Sequence, residues 1–234
     1  LNIASINKTT IRKWQESLIK SKYSNEYILT IQATFRRVLN WAVQQEFLES
    51  SPFISSYVRR RDKRQEKDFY TLDEYKQFYS AITDETDKII FNMLYWTGLR
   101  KGELMGLRFK NVIIKKRSIV IEHNYDYRSH QLTSPKTNTS YREIILTDEL
   151  KSQLETYISK CQRIAGFNDN LFLFGLDKPL SATTLSRKKD LYAKMSNTRP
   201  IRIHDFRHSH VALLLNNNIN DFDIAKRLGH SRDM

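Results

Sequence analysis

One cysteine, Cys161, stands alone among 234 residues. No disulfide can close within the chain, which fits a reducing, intracellular setting. Four prolines and six glycines are few, which argues against a turn-rich all-β fold and for helices. No apolar run approaches the roughly 18 residues that a membrane span needs, and no signal peptide is visible. Acidic residues are the scarcer charge, 26 against 39 Lys and Arg, a formal net charge of +13. That excess points to a polyanionic partner, because each cation near a phosphate releases a condensed counterion. A solvated basic surface is the plainer alternative. An anionic membrane fits less well, since no basic amphipathic helix shows a clean apolar face. The first residue is Leu1 rather than Met, which reads as a fragment or a processed chain.

What is present builds a core. Apolar residues make up 40% of the chain, including 12 Tyr, 12 Phe and 3 Trp, so global disorder is excluded. In the first 50 residues Ile28, Ile31, Phe35, Val38, Leu39, Ala42 and Phe47 recur at three- and four-residue steps. This spacing predicts one buried helical stripe, with Arg36 and Arg37 beside it and facing outward. Ser51-Pro52 ends that run, because the residue before proline disfavours the α region. A strongly basic stretch follows and includes Arg59, Arg60, Arg61, Lys63 and Arg64. It reads equally as a linker lying on DNA and as a solvated linker.

A second unit opens with a capping box, Thr71 to Glu74, in which threonine accepts from the Glu74 amide while Glu74 reaches back. Helical spacing follows at Tyr75, Phe78, Tyr79 and Ile82, then from Ile89 to Trp96, with Gly98 placed to cap. Residues 112–114 and 118–125 are β-rich and flank Lys115-Lys116-Arg117, as in a hairpin. Tyr141 to Leu146 is a third strand, after a polar loop at 128–140. Helices are expected near 148–163, 181–194, 205–217 and 221–228, the last capped by Gly229. The fold class is therefore mainly α with a small antiparallel β-sheet (α+β). The expected domains are residues 1–58, a basic linker at 59–68, and a larger domain at 69–234.

Four separated segments carry chemistry. Arg100 follows an apolar helix end, and Glu103, three residues later, shares its face if the turn is helical. Taken alone the pair reads as an ordinary surface ion pair. Lys136 sits in the polar loop between strands, where a lysine is usually just solvated. His204 and Arg207 are three apart at a helix start, in the run His204-Asp205-Phe206-Arg207-His208-Ser209-His210. Zinc held by His204, His208 and His210 is the rival there, but it lacks an obvious fourth ligand. His230 follows Gly229, which can end a helix and turn the imidazole inward.

Together these segments resemble the tyrosine recombinase (phage integrase) family, including the integrases of phages and conjugative transposons. The family pattern is an arginine in a T-G-x-R-x-x-E box, a lysine in a β-hairpin loop, an H-x-x-R pair and a late L-G-H histidine. Here these are Arg100 in Thr97-Gly98-Leu99-Arg100-Lys101-Gly102-Glu103, Lys136, His204 with Arg207, and His230. The resemblance is strong over about residues 70–234 and less specific over 1–50, which look like the helical, SAM-like core-binding domain. It implies metal-free, cofactor-free DNA cleavage and rejoining through a 3′-phosphotyrosine, with Arg100, Lys136, His204, Arg207 and His230 catalytic and Glu103 bracing Arg100. Arg36, Arg37 and the basic linker would contact DNA, the two domains gripping opposite faces of the duplex. It further implies double-stranded DNA as partner, a tetramer on two sites in the intact protein, an accessory DNA-bending or excision factor, no membrane, and a cytoplasmic, nucleoid-associated location. The family's nucleophile is a tyrosine about nine residues beyond the L-G-H histidine, and none of the 12 tyrosines here holds that register. The sequence as given is thus expected to bind DNA without cleaving it. The alternative reading is a catalytically silent DNA-binding regulator of recombination, and a third is a metal-dependent nuclease built on the histidines.

Overall fold

In the computed structural model, residues 3–53, 57–59, 68–133 and 141–229 are described. The chain divides into two compact units, Leu1–Glu66 and Lys67–Met234.

The first unit is helical. Helix α1 spans Lys8–Lys20, started by Asn7, whose side chain accepts from the Thr10 amide at 2.9 Å. Helix α2 spans Asn25–Gln44, started by Ser24 accepting from Tyr27 N. Each cap satisfies one of the N–H groups that a helix start leaves without a partner. Ile11, Leu39 and Phe53 form the small core, with Trp14 and Phe35 packed against it. A buried pair ties the helices, Gln15 Nε2 donating to Gln32 Oε1 at 3.0 Å. Gln32 also bonds both backbone groups of Val58, at 2.7 and 2.9 Å, and so holds the 57–59 segment. The expected stripe holds at Ile28, Leu39 and Ala42, which are buried, but not at Val38 and Phe47, which are exposed. Val38 adjoins Leu39 on a 100° turn and faces away from the seam. Phe47 lies past the end of α2 and packs on exposed Trp41 instead.

The second unit is built around helix α4, Glu85–Thr97, which is buried along most of its length. Asp84 caps its start and Gly98 ends it at φ 65°, a left-handed conformation that glycine adopts without strain. Helix α3, Leu72–Ser80, begins with the expected capping box. The core packs aromatic edges on faces: Phe78 lies 5.2 Å from Phe91 and 5.6 Å from Phe206, centroid to centroid, geometry that adds to the apolar burial. Helix α5, Lys101–Gly106, is short, starts directly after Arg100 and carries Glu103.

Strands β1 (Val112–Ile113), β2 (Ser118–Ile121) and β5 (Arg142–Ile145) form an antiparallel sheet in the order β1-β2-β5. Ile119, Ile121 and Ile144 are buried in the core. The expected single run 118–125 is broken. Its last part is strand β3, Asn124–Asp126, which pairs with β4, Gln131–Thr133, in a separate hairpin. The polar loop expected at 128–140 contains this strand, whose three residues carry one apolar side chain, Leu132, and are held by backbone bonds to one short partner. Gly102 makes the contact between α5 and β3 possible, because a Cβ there would lie 2.2 Å from Asn124 Oδ1. Helices α6 (Asp148–Cys161), α7 (Ala182–Met195), α8 (Asp205–Asn216) and α9 (Asp221–Leu228) follow close to their expected limits. Gly229 ends α9 at φ 68°. The fold is mainly α with small antiparallel sheets. No described helix is long and apolar enough to cross a membrane.

Candidate active site

The end of α4 fixes where Arg100 stands. After the Gly98 turn, Arg100 is extended and its backbone N–H donates to Glu103 Oε2 at 2.8 Å, while its Nη1 donates to Glu103 Oε1 at 2.8 Å. The Glu103 side chain is only 5% exposed and that of Arg100 35%. This is not the solvent-screened pair that sequence spacing alone allows. Glu103 also takes two bonds from Arg142, Nη1 to Oε1 at 3.0 Å and Nη2 to Oε2 at 2.8 Å. Burial works against ionisation of Glu103, but the Arg142 and Arg100 hydrogen bonds and charges outweigh it and hold the carboxyl below its ordinary value.

Arg207 comes from the first turns of α8, which packs on α4. Its Nη1 donates to Gly98 O and its Nη2 to Leu228 O, both at 2.8 Å, and the residue is 3% exposed. Burial, and then the neighbouring Arg100, lower it to about 9, still well above neutral pH, so the guanidinium stays charged. Arg100 also bears on His204, at the start of α8. Burial depresses the imidazole first, followed by His208, Arg207 and Arg100, with Asp205 opposing. His204 is therefore biased toward its neutral form at neutral pH. Its ring stands edge-on to His208, centroids 5.2 Å apart. Asp205 is occupied with Arg202, which donates to it from its backbone N, Nε and Nη2 at 2.8–3.1 Å.

The third histidine of the run turns elsewhere. His210 is buried, and its Nε2 accepts from Arg227 Nε at 3.1 Å. Burial and the Arg227 charge push it down to about 3, so it is neutral, with its proton on Nδ1. Arg227 Nη2 donates to Trp96 O and Ile145 O as well. The three-histidine zinc arrangement is thus not formed, and among the described residues no three His, Cys, Asp or Glu are grouped to hold a metal.

The structure brings Arg100, Glu103, His204 and Arg207 together from three segments, the α4–α5 turn, α5 and the start of α8. Lys136 and His230 lie outside the described residues, as do Arg60, Arg61, Lys63 and Arg64. Arg37 and Arg59 are exposed and Arg36 is half-buried, its guanidinium 5.8 Å from the Tyr57 ring. Sequence reasoning missed Arg142 and Arg227. Arg142 had a usable signal, since strand alternation puts it on the inward face with Ile144. A charge facing inward requires a buried counter-charge.

Residues 68–234 match the model of the phage integrase family. The chain belongs to this family, the tyrosine recombinases. It is 29% identical to the ICEBs1 integrase of Bacillus subtilis (strain 168), over 98% of this chain and 65% of that protein. It is 20% identical to a XerC-like tyrosine recombinase of Caldanaerobacter subterraneus subsp. tengcongensis, over 99% of this chain and 66% of that protein. The chain thus spans just under two thirds of the length of these curated relatives. Among solved structures it resembles the Tn1549 transposon integrase in complex with a circular intermediate DNA, with a TM-score of 0.83 at 22% identity, covering 98% of this chain and 79% of that one. It also resembles a lambda integrase tetramer bound to a Holliday junction, with a TM-score of 0.70 at 19% identity, covering 99% and 66%. These two likenesses establish the integrase fold; the site's chemistry rests on the residues themselves.

Proposed function

We propose that the intact protein is a site-specific recombinase that integrates a mobile element by metal-free cleavage and rejoining of DNA. The observation that carries this reading is the pair of guanidiniums, Arg100 and Arg207, set beside a neutral-leaning His204 and locked from behind by Glu103 and two backbone carbonyls.

A tyrosine oxygen attacks the scissile phosphorus, a 3′-phosphotyrosine forms and the 5′-oxygen leaves. Covalent catalysis divides one hard displacement into two easier ones and conserves the phosphodiester for rejoining. Negative charge grows on the nonbridging oxygens, and Arg100 and Arg207 meet it with planar, fixed donors. Preorganised donors of this kind contribute on the order of 3 kcal/mol each. His204 moves the proton at the tyrosine, Lys136 protonates the leaving 5′-oxygen, and His230 hydrogen-bonds the phosphate. Double-stranded DNA is the partner, engaged mostly through phosphates by the basic residues of both units, including Arg36, Arg37 and Arg59. The acting form is a tetramer on two DNA sites, assisted by a DNA-bending or excision factor, in the cytoplasm.

The test is Arg100→Lys and Arg207→Lys in the intact protein. Each variant is expected to bind its attachment-site duplex normally and to lose most cleavage, because an ammonium cannot grip two oxygens at once. Near wild-type cleavage by either variant overturns the assignment. Binding without cleavage by the unsubstituted protein points instead to a silent DNA-binding regulator.

A further inference from the structure

We propose that Arg142 is a positioning residue for the phosphate site, a side chain that fastens Glu103 of the arginine box to the end of α9, just before His230. The proposal rests on the recombinase reading and adds to it a residue that the four-segment pattern does not contain.

The geometry forms a closed circuit. Arg142 Nη1 and Nη2 grip Glu103, which holds Arg100 through both its backbone and its side chain. On its other edge, Arg142 Nε donates to Arg227 O at 2.8 Å. Arg227 is joined covalently to Leu228, whose carbonyl accepts from Arg207. Arg207 also bonds Gly98 O, two residues before Arg100. Two buried guanidiniums, Arg142 and Arg207, therefore take adjacent carbonyls at the end of α9 and return by separate routes to the same box. One route ends on Glu103 and the other on Gly98.

Only a fork can do this. Arg142 spends three nitrogens on two directions at once, which a lysine's single ammonium cannot reproduce. Its side chain is 6% exposed, so little water competes for its acceptors. The residue also opens β5, directly after the segment that carries Lys136. The anchor thus lies six residues after one candidate catalytic group, Lys136, bonds the carbonyl three residues before another, His230, and clamps the carboxylate that aims a third, Arg100. A shift of about 1 Å in such a frame can cost on the order of 100-fold in rate.

The test compares Arg142→Met and Arg142→Lys. In the 234-residue chain, the order parameter of the Arg100 side-chain Nε–H is read by ¹⁵N relaxation. In the intact protein, DNA affinity and cleavage are measured in wild-type and Arg100→Lys backgrounds. Both variants are expected to loosen Arg100, to leave DNA affinity unchanged, and to cut cleavage by about 100-fold. In the Arg100→Lys background the same changes should remove little more, since effects routed through one group do not add. Arg142→Lys keeps a cation opposite Glu103 and so keeps the test open if Arg142→Met does not fold. An Arg100 side chain as ordered as in wild type, a fully multiplicative cleavage loss in the double variants, or loss of folding in both variants would each overturn the positioning role. If the wild-type protein does not cleave, the recombinase reading falls, while the order-parameter comparison still decides whether Arg142 fixes Arg100.

Discussion

Replacing Glu103 by glutamine keeps the shape of the side chain and removes what the site needs from it. Each carboxylate oxygen accepts two N–H groups: Oε1 from Arg100 Nη1 and Arg142 Nη1, Oε2 from Arg100 N and Arg142 Nη2. A glutamine keeps one oxygen and turns an NH₂ toward the other two donors. Two hydrogen bonds to a charged group are lost, at about 1.5–3 kcal/mol each, and Arg142 is left buried without its counter-charge. Breaking a buried pair from one side typically costs about 3–5 kcal/mol, so the two estimates agree. Urea unfolding of the 234-residue chain measures it, with the second unit's transition read separately because a two-unit chain need not unfold in one step. Glu155→Gln, in the exposed Lys151–Glu155 pair, serves as a control and should change little. The deficit also has a defined pH dependence. Glu103 titrates below its ordinary value in the folded chain, so its contribution is full above the unfolded pKa, about 4.3, and fades as pH falls through the folded one. A loss under about 1 kcal/mol at neutral pH, or a deficit that does not shrink in acid, would refute the view of Glu103 as a shared, ionised brace.

Three further outcomes follow from the same geometry. His210 is neutral and buried, down to about 3; the unfolded chain takes up its proton near pH 6.5, so stability falls as pH drops below that value. The cost of this one group is about 2 kcal/mol by pH 5, and unfolding curves that are flat between pH 7.5 and 5 would contradict it. Gly98→Ala meets both a positive φ and a Cβ 2.8 Å from His210 Cδ2 and Leu228 Cδ2; it should destabilise the second unit by about 2–4 kcal/mol, and a melting temperature within error of wild type would show the turn to be slack. For the +13 chain, contact with about six phosphates predicts that log K for a DNA duplex falls with log salt at a slope near −5; a shallow slope would mean that the basic residues are idle.

Much of this fold is legible because local and tertiary preferences agree. The capping box at Thr71–Glu74, the glycines at 98 and 229, and the apolar spacing of α4 each state a boundary or a buried face within a few residues. The seam of α2 was overread at Val38 and Phe47, because apolar residues beside a stripe or past a helix end need not join it. The β3–β4 hairpin was missed because Gln131-Leu132-Thr133 is a three-residue alternation inside a polar stretch, too short to stand out as a strand, and its ladder rests on backbone bonds to an equally short partner. The site divides the same way. Arg100, Glu103, His204 and Arg207 were readable from motif and spacing, and the geometry gathers them. Glu103 was expected to brace Arg100, but the spacing carried no sign of Arg142, which lies 39 residues from Glu103 and reaches it only once β5 closes the sheet. His210 entered the reading only through the disfavoured zinc rival, whereas on α8 its ring turns inward to Arg227.

The central claim, metal-free tyrosine chemistry at a paired-arginine site, is tested most directly by covalent trapping. A nicked attachment-site duplex is mixed with the intact protein in excess chelator, and the products are run on a denaturing gel. The account predicts a protein–DNA adduct on the 3′-phosphate side of the nick, with full yield in chelator and little or none for Arg207→Lys. Tight DNA binding with no adduct, or an adduct that disappears when divalent metal is removed, would contradict it.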